Sequence, residues 1–210
     1  MNFIYFLLKG SFLFSFLSYF FMPIKYCTFY SLLSLLPKSR RYQLIFSYFV
    51  IFFYWVSSIN SLSLLIIFSI LTFYLLTLSI FDADYFLLPN VLTFWLLFLG
   101  LSINYTEYGL VSFHHAFYGF LIGTGIFYSV YLWGYFIYQK CVLGFGDVKL
   151  FGAIGAWCGF EKLPYILLGA SLLGFCVYCM VLITTKEYSN KVAFGSCLSF
   201  STLMVLSFYF

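Results

Sequence analysis

The chain has 210 residues, 64% of them hydrophobic and 8% charged, whereas a water-soluble domain carries about a quarter charged residues. So little polar surface excludes a soluble fold, and the length suits one membrane-embedded helix bundle without a second globular domain. The formal charge of +4 then bears on orientation in a bilayer, and the many Phe and Tyr on lipid contact and packing, rather than on nucleic acid.

A membrane-spanning helix needs roughly 20 apolar residues. In chain order the apolar runs cover about 3–22, 42–58, 61–81, 90–104, 113–138, 148–160, 163–184 and 192–210, which predicts an all-α polytopic bundle of about eight segments. The first run is too long for a signal-peptide core, is interrupted by Lys9 and lacks a small-residue cleavage site, so it is expected to be a retained helix. Two short runs, 90–104 and 148–160, directly follow acidic motifs. Short helices suit backbone that lines a cavity rather than lipid.

The charges fall between the runs. Lys25, Lys38, Arg40 and Arg41 follow the first run, Asp82 and Asp84 the third, Lys140, Asp147 and Lys149 the fifth, and Lys186, Glu187 and Lys191 the seventh. If each run crosses once, these loops share one side. That side then holds eight of the ten Lys and Arg, all but Lys9 and Lys162. The positive-inside rule makes it the cytoplasm, so both acidic motifs are expected at the cytoplasmic face of a bacterial inner membrane. Lys38, Arg40 and Arg41 are expected on anionic headgroups. The segment 23–41 reads as a short cytoplasmic loop. The opposite loops, near 57–61, 104–109 and 161–164, are short and nearly uncharged; His114 and His115, Glu107 and Glu161 lie on that side.

Small residues mark close helix contacts. Gly119 and Gly123 are four apart, and Gly152, Gly155, Ala156 and Gly159 make one small face after Asp147. Such faces let membrane helices approach without a hydrophobic drive. Of the six cysteines, Cys176 and Cys179 form a Cys-x-x-Cys inside an apolar run with no second pair, which reads as packing rather than a metal site.

Two stretches carry chemistry. Leu143-Gly144-Phe145-Gly146-Asp147-Val148-Lys149 sets a carboxylate and a lysine beside two glycines, whose backbone freedom was expected to shape the turn. Asp147 faces the positive end of the helix it starts. Asp82-Ala83-Asp84-Tyr85-Phe86-Leu87-Leu88-Pro89-Asn90 ends one run, and Pro89 suits the start of the next, where its missing donor is harmless. An ionisable residue in this setting points to function. Two carboxylates about 3 Å apart hold one proton between them. One takes a proton from water while the other donates to a scissile carbonyl. The chain offers no Ser/His/Asp set, no His-Glu-x-x-His and no phosphate-cradling glycine loop. Lys149, two residues past Asp147, points away from it on a regular helix and is a candidate contact to substrate or headgroup.

Gly144 to Lys149, followed by Gly152-Ala153-Ile154-Gly155-Ala156-Trp157, closely resembles bacterial type IV prepilin leader peptidases. So does the stretch from Asp82 through Pro89-Asn90, an Asp, six residues, then Pro and Asp or Asn. The similarity covers roughly 75–200. It implies a membrane aspartyl endopeptidase that removes short basic leaders from prepilin or pseudopilin precursors. Asp82 and Asp147 would be the catalytic pair, with Gly144, Gly146 and Pro89 shaping the site. Precursor proteins and membrane lipids are the implied partners, in pilus assembly or secretion. Asp84 falls where the motif varies. Many family members carry two Cys-x-x-Cys pairs after the first helix; here 23–41 has only Cys27, so a zinc-organised loop is absent. Many also methylate the new N-terminus with S-adenosylmethionine, an activity not expected here, and proteolysis by two carboxylates takes no cofactor. Ala193-Phe194-Gly195 is similar to the family's Phe-Gly-Pro segment, with Ser196 in place of Pro. These departures leave open a non-catalytic membrane scaffold or secretion component derived from such a peptidase. A small-ion carrier is a third class; the position of both aspartates at one face opposes it.

Overall fold

The computed structural model describes residues 38–59, 61–139, 143–185 and 192–209. The first apolar run, Lys25, Cys27, Lys140, Cys141, Lys186, Glu187 and Lys191 lie outside the described residues, and so do the expectations placed on them. The described residues form seven helices and no strand: α1 (Lys38–Ser58), α2 (Leu62–Tyr85), α3 (Asn90–Tyr105), α4 (Phe113–Tyr138), α5 (Phe145–Cys158), α6 (Leu163–Thr185) and α7 (Phe194–Tyr209). They correspond to the second through eighth apolar runs. α2, α4 and α6 are long and apolar enough to cross a membrane, while α3 and α7 are shorter apolar helices. Large apolar side chains such as Phe46, Phe53, Trp133 and Ile183 point outward, as lipid contact requires and water would not tolerate on this scale. The chain is a multi-pass membrane protein.

One boundary differs from the sequence expectation. The third run reads as reaching about 81 with Asp82 at the helix end and Asp84 beyond it; α2 continues to Tyr85 and carries both acids in its last turns. Helical backbone bonds do not depend on side-chain polarity, and both acids find partners on other helices (below). α2 ends at Phe86, whose left-handed conformation (φ 52°) turns the chain and returns its N–H to the Asp82 carbonyl. Pro89, at φ −60°, then caps α3. Its carbonyl accepts the N–H groups of Leu92 and Thr93.

α5 is the buried axis of the bundle. Every residue from Val148 to Cys158 is buried, against α3 and α4 chiefly and α7 and α6 in part. Fourteen residues at about 1.5 Å each reach about 21 Å, short of a hydrocarbon core of about 30 Å. The small faces read from the sequence meet here. Gly119 of α4 and Gly155 of α5 lie backbone to backbone, and a Cβ on either would collide with the other's carbonyl. Gly152 leaves room for Thr124, and Phe127 stacks on Phe151 with ring centroids 4.2 Å apart. On the α3 side, Trp157 fills the space over Gly100 and donates its indole N–H to the Leu96 carbonyl at 2.7 Å. α1 packs on α2 through Trp55, which stacks on Phe68 (centroids 4.5 Å apart) and donates to Thr72 Oγ1 at 3.1 Å.

Candidate active site

Polar contacts sort the helix ends into two groups. At one end, Asn104 closes α3 onto α5: its amide donates to the Ala156 and Trp157 carbonyls (2.8 and 3.3 Å), and its Oδ1 accepts the Val111 N–H at 3.1 Å. Carbonyls at a helix C-terminus lack partners within the helix, and one buried side chain supplies them. His115 Nδ1 lies 3.2 Å from Glu161 Oε1 at this same end and stacks on Phe160.

The opposite end gathers the start of α1, the end of α2 and the starts of α3, α5 and α7. Arg40 pairs with Asp84 at 2.8 Å. This ion pair differs from the expectation of Arg40 on headgroups, because α2 extends far enough to present Asp84 to α1. Lys149 Nζ donates to Asn90 Oδ1 at 2.9 Å and sits 4.8 Å from the centre of the Phe145 ring. Lys149 is 8% exposed, so its ammonium is held inside the bundle and ties the glycine-rich motif to the Pro-Asn motif.

Asp82 and Asp147 both lie at this end. Asp82 is buried, and its Oδ2 accepts the Ser196 N–H at 2.8 Å. Asp147 stands in the first turn of α5, where its own N–H reaches the Gly144 carbonyl at 3.1 Å. One side chain, Leu88, touches the backbone beside each acid. Its atoms lie 3.0–3.1 Å from a Cβ built on Gly146 and 3.1 Å from one built on Gly195. α4 rises beside the two acids: Tyr131 contacts Phe145 at the start of α5 (centroids 5.8 Å apart) and α4 continues two turns further, to Tyr138.

The glycines act differently from the sequence reading. Among the described residues, the only glycine with positive φ is Gly159. Gly144 has an ordinary extended conformation, φ −66° and ψ 133°. Space is what these positions require. A Cβ at Gly144 would stand 3.0 Å from Asp147 Oδ2, and one at Gly146 would press into Leu88. Pro89 favours an extended Leu88 before it, and Leu88 packs toward Gly146 and Gly195. The Ser196 and Gly195 contacts to Asp82, the Leu88 bridge and the Asn90–Lys149 bond were not read from the sequence. Asn90 stood in the quoted motif and Ser196 stood out as a departure, but nothing in the pattern said what either touches.

The chemistry open to this arrangement is that of two carboxylates carried by separate helices at one end of a lipid-facing bundle.

The model of the Type IV leader peptidase family matches residues 69–179, more than half of the chain. Over 142 residues the chain is 42% identical to the Prepilin leader peptidase/N-methyltransferase of Escherichia coli (strain K12), covering 64% of this chain and 62% of that protein. It is 36% identical over 139 residues to the protein of the same name from Aeromonas hydrophila, covering 65% and 47%. To the Type 4 prepilin-like proteins leader peptide-processing enzyme of Escherichia coli O78:H11 (strain H10407 / ETEC) it is 35% identical over 130 residues, covering 62% and 47%. The matched part thus spans between about half and three fifths of these relatives' lengths. No solved structure matches. By the family match, carried on the stretch that holds Asp82, Asp147 and the helices presenting them, the chain belongs to the Type IV leader peptidase family.

Proposed function

We propose that the chain is a membrane aspartyl endopeptidase that removes the leader peptide from type IV prepilin or pseudopilin-like precursors at the cytoplasmic face of a bacterial inner membrane. What supports it is that Asp82 and Asp147, 65 positions apart, lie at the same end of the bundle, where Leu88 approaches the backbone beside each of them. Two such acids hold a single proton. The ionised one takes a proton from a water molecule as the oxygen attacks the scissile carbonyl, and the protonated one donates to the carbonyl oxygen. When the tetrahedral species collapses and the C–N bond breaks, the acid that took water's proton passes it to the leaving amine, the other acid recovers a proton from a hydroxyl of the gem-diol, and the pair returns to its starting state. Gly144, Gly146 and Pro89 let Leu88 and the α5 start close around the acids, and Lys149 fixes α5 to α3. The cytoplasmic assignment is supported by Lys38, Arg40 and Arg41, which begin α1 at the aspartate end. Two carboxylates and water need no cofactor for this step; the N-methyl transfer that two of the relatives' names include lies outside it.

The test is cleavage of a purified prepilin-type precursor by the full-length protein in proteoliposomes. Leader removal at a single bond is expected. A folded, inserted protein without turnover would instead favour a scaffold descended from such a peptidase.

A further inference from the structure

The start of α7 treats the two acids unequally. Ser196, third residue of α7, has an N–H that no carbonyl of its own helix can accept. It donates to Asp82 Oδ2 at 2.8 Å. The Ser196 hydroxyl donates to the Ser79 carbonyl at 2.8 Å and lies 3.4 Å from the same carboxylate oxygen. Gly195 permits the approach, since a Cβ there would stand 2.9 Å from Asp82 Oδ2. Asp82 therefore caps a helix 114 positions away in the chain. Asp147 also stands at a helix start, in the first turn of α5 beside the Gly144 backbone, but the groups around it belong to its own helix, whereas the N–H and hydroxyl that reach Asp82 come from α7.

Resting on the dyad reading above, we infer that Ser196 is a positioning residue that sets the division of labour: its backbone N–H, at the positive end of α7, keeps Asp82 the ionised partner, so that Asp82 takes the proton from water and Asp147 carries the shared one. A donor aimed at a carboxylate and a helix N-terminus both favour the charged form. Oδ2 is committed to the N–H, which leaves Oδ1 to accept from water. Among the described residues, the other titratable or charged groups at this end are Asp147 and Lys149 on α5, Cys197 on α7, Tyr131 on α4, Asp84 and Tyr85 on α2, and Lys38, Arg40 and Arg41 on α1. Arg40 pairs with Asp84, and Lys149 donates to Asn90. The N–H makes the shorter bond to Asp82; the hydroxyl gives its own short bond to Ser79 and only a longer one, 3.4 Å, to Asp82 Oδ2.

Ser196→Pro removes the N–H, and proline is tolerated in the first turn of a helix because that donor is not used within it. Ser196→Ala keeps the N–H and removes the hydroxyl. The experiment is kcat/KM against pH for the full-length protein in proteoliposomes. The acidic limb marks protonation of the group that must be ionised. Losing a hydrogen bond to a charged group should move that limb about one pH unit upward in Ser196→Pro, while Ser196→Ala, which loses only the 3.4 Å contact, should move it by clearly less. Replacing the Ser196 amide by an ester removes the same donor without the proline ring, and the same upward shift is expected. An unmoved limb in the ester and proline variants, or an equal shift in Ser196→Ala, would overturn the assignment. Asp82→Asn and Asp147→Asn run alongside. If either still cleaves, the dyad itself falls; if both are inactive and the limb stays put, only the role of Ser196 does.

Discussion

Asn90 and Lys149 show how much a single residue can carry in this bundle. An ammonium inside a membrane protein is costly unless hydrogen-bonded, and Asn90 Oδ1 supplies a bond at 2.9 Å. Asn90→Ala should therefore cost about 1.5–3 kcal/mol, read as a lower unfolding midpoint in detergent; an unchanged midpoint would show that the bond contributes nothing. Asp84 is the contrast. Its partner Arg40 has a side chain 45% exposed, and ion pairs of that kind contribute at most about 1 kcal/mol. Asp84→Asn should keep most leader-removing activity, measured in the same proteoliposomes. At this scale the sequence was legible where chemistry is rare: two acids and a lysine stand out against an apolar chain. Leu88 was not legible, because an apolar residue among apolar residues gives no sign that two glycines have been cleared for it.

Among the elements, the α4–α5 contact is the most exacting. Gly119 and Gly155 let two backbones touch, a contact a single methyl would block. Gly155→Val should destabilise the protein by about 1–3 kcal/mol or more and lower activity with it, since α5 holds Asp147. Gly125 on the same α4 has nothing within 4 Å of a built Cβ, so Gly125→Val should leave the unfolding midpoint near wild type. Equal effects from the two variants, in SDS or thermal unfolding, would refute close packing as the reason for the α5 glycines. The four-residue spacing of small residues made this face visible in advance. It did not say which helix would meet it, because spacing marks a narrow face and not its partner. The end of α2 was misplaced for a related reason: a charge ends an apolar run but need not end a helix when another helix offers a partner.

The whole molecule has two unlike ends. One gathers Arg40, Asp82, Asp84, Asp147 and Lys149, the other Asn104, His115 and Glu161. The alternation of apolar runs foretold that division, and the charge bias gives it a direction. In a cysteine-free background, an impermeant maleimide added to intact cells should label Tyr108→Cys and spare Tyr85→Cys until the membrane is opened. Both positions are exposed, and the reverse pattern would turn the bundle over and remove the site from the cytoplasm. The proposed mechanism keeps one proton on the pair during turnover, so it predicts that activity falls at both acidic and alkaline pH, giving a bell-shaped profile.

Asp82→Asn and Asp147→Asn, each tested singly for cleavage of a purified precursor, probe the central claim most directly. Both variants should insert and unfold like the parent yet leave the leader attached, since an amide can neither accept the proton from water nor deliver one to the carbonyl. Leader removal at a parental rate by either variant would contradict catalysis by the pair.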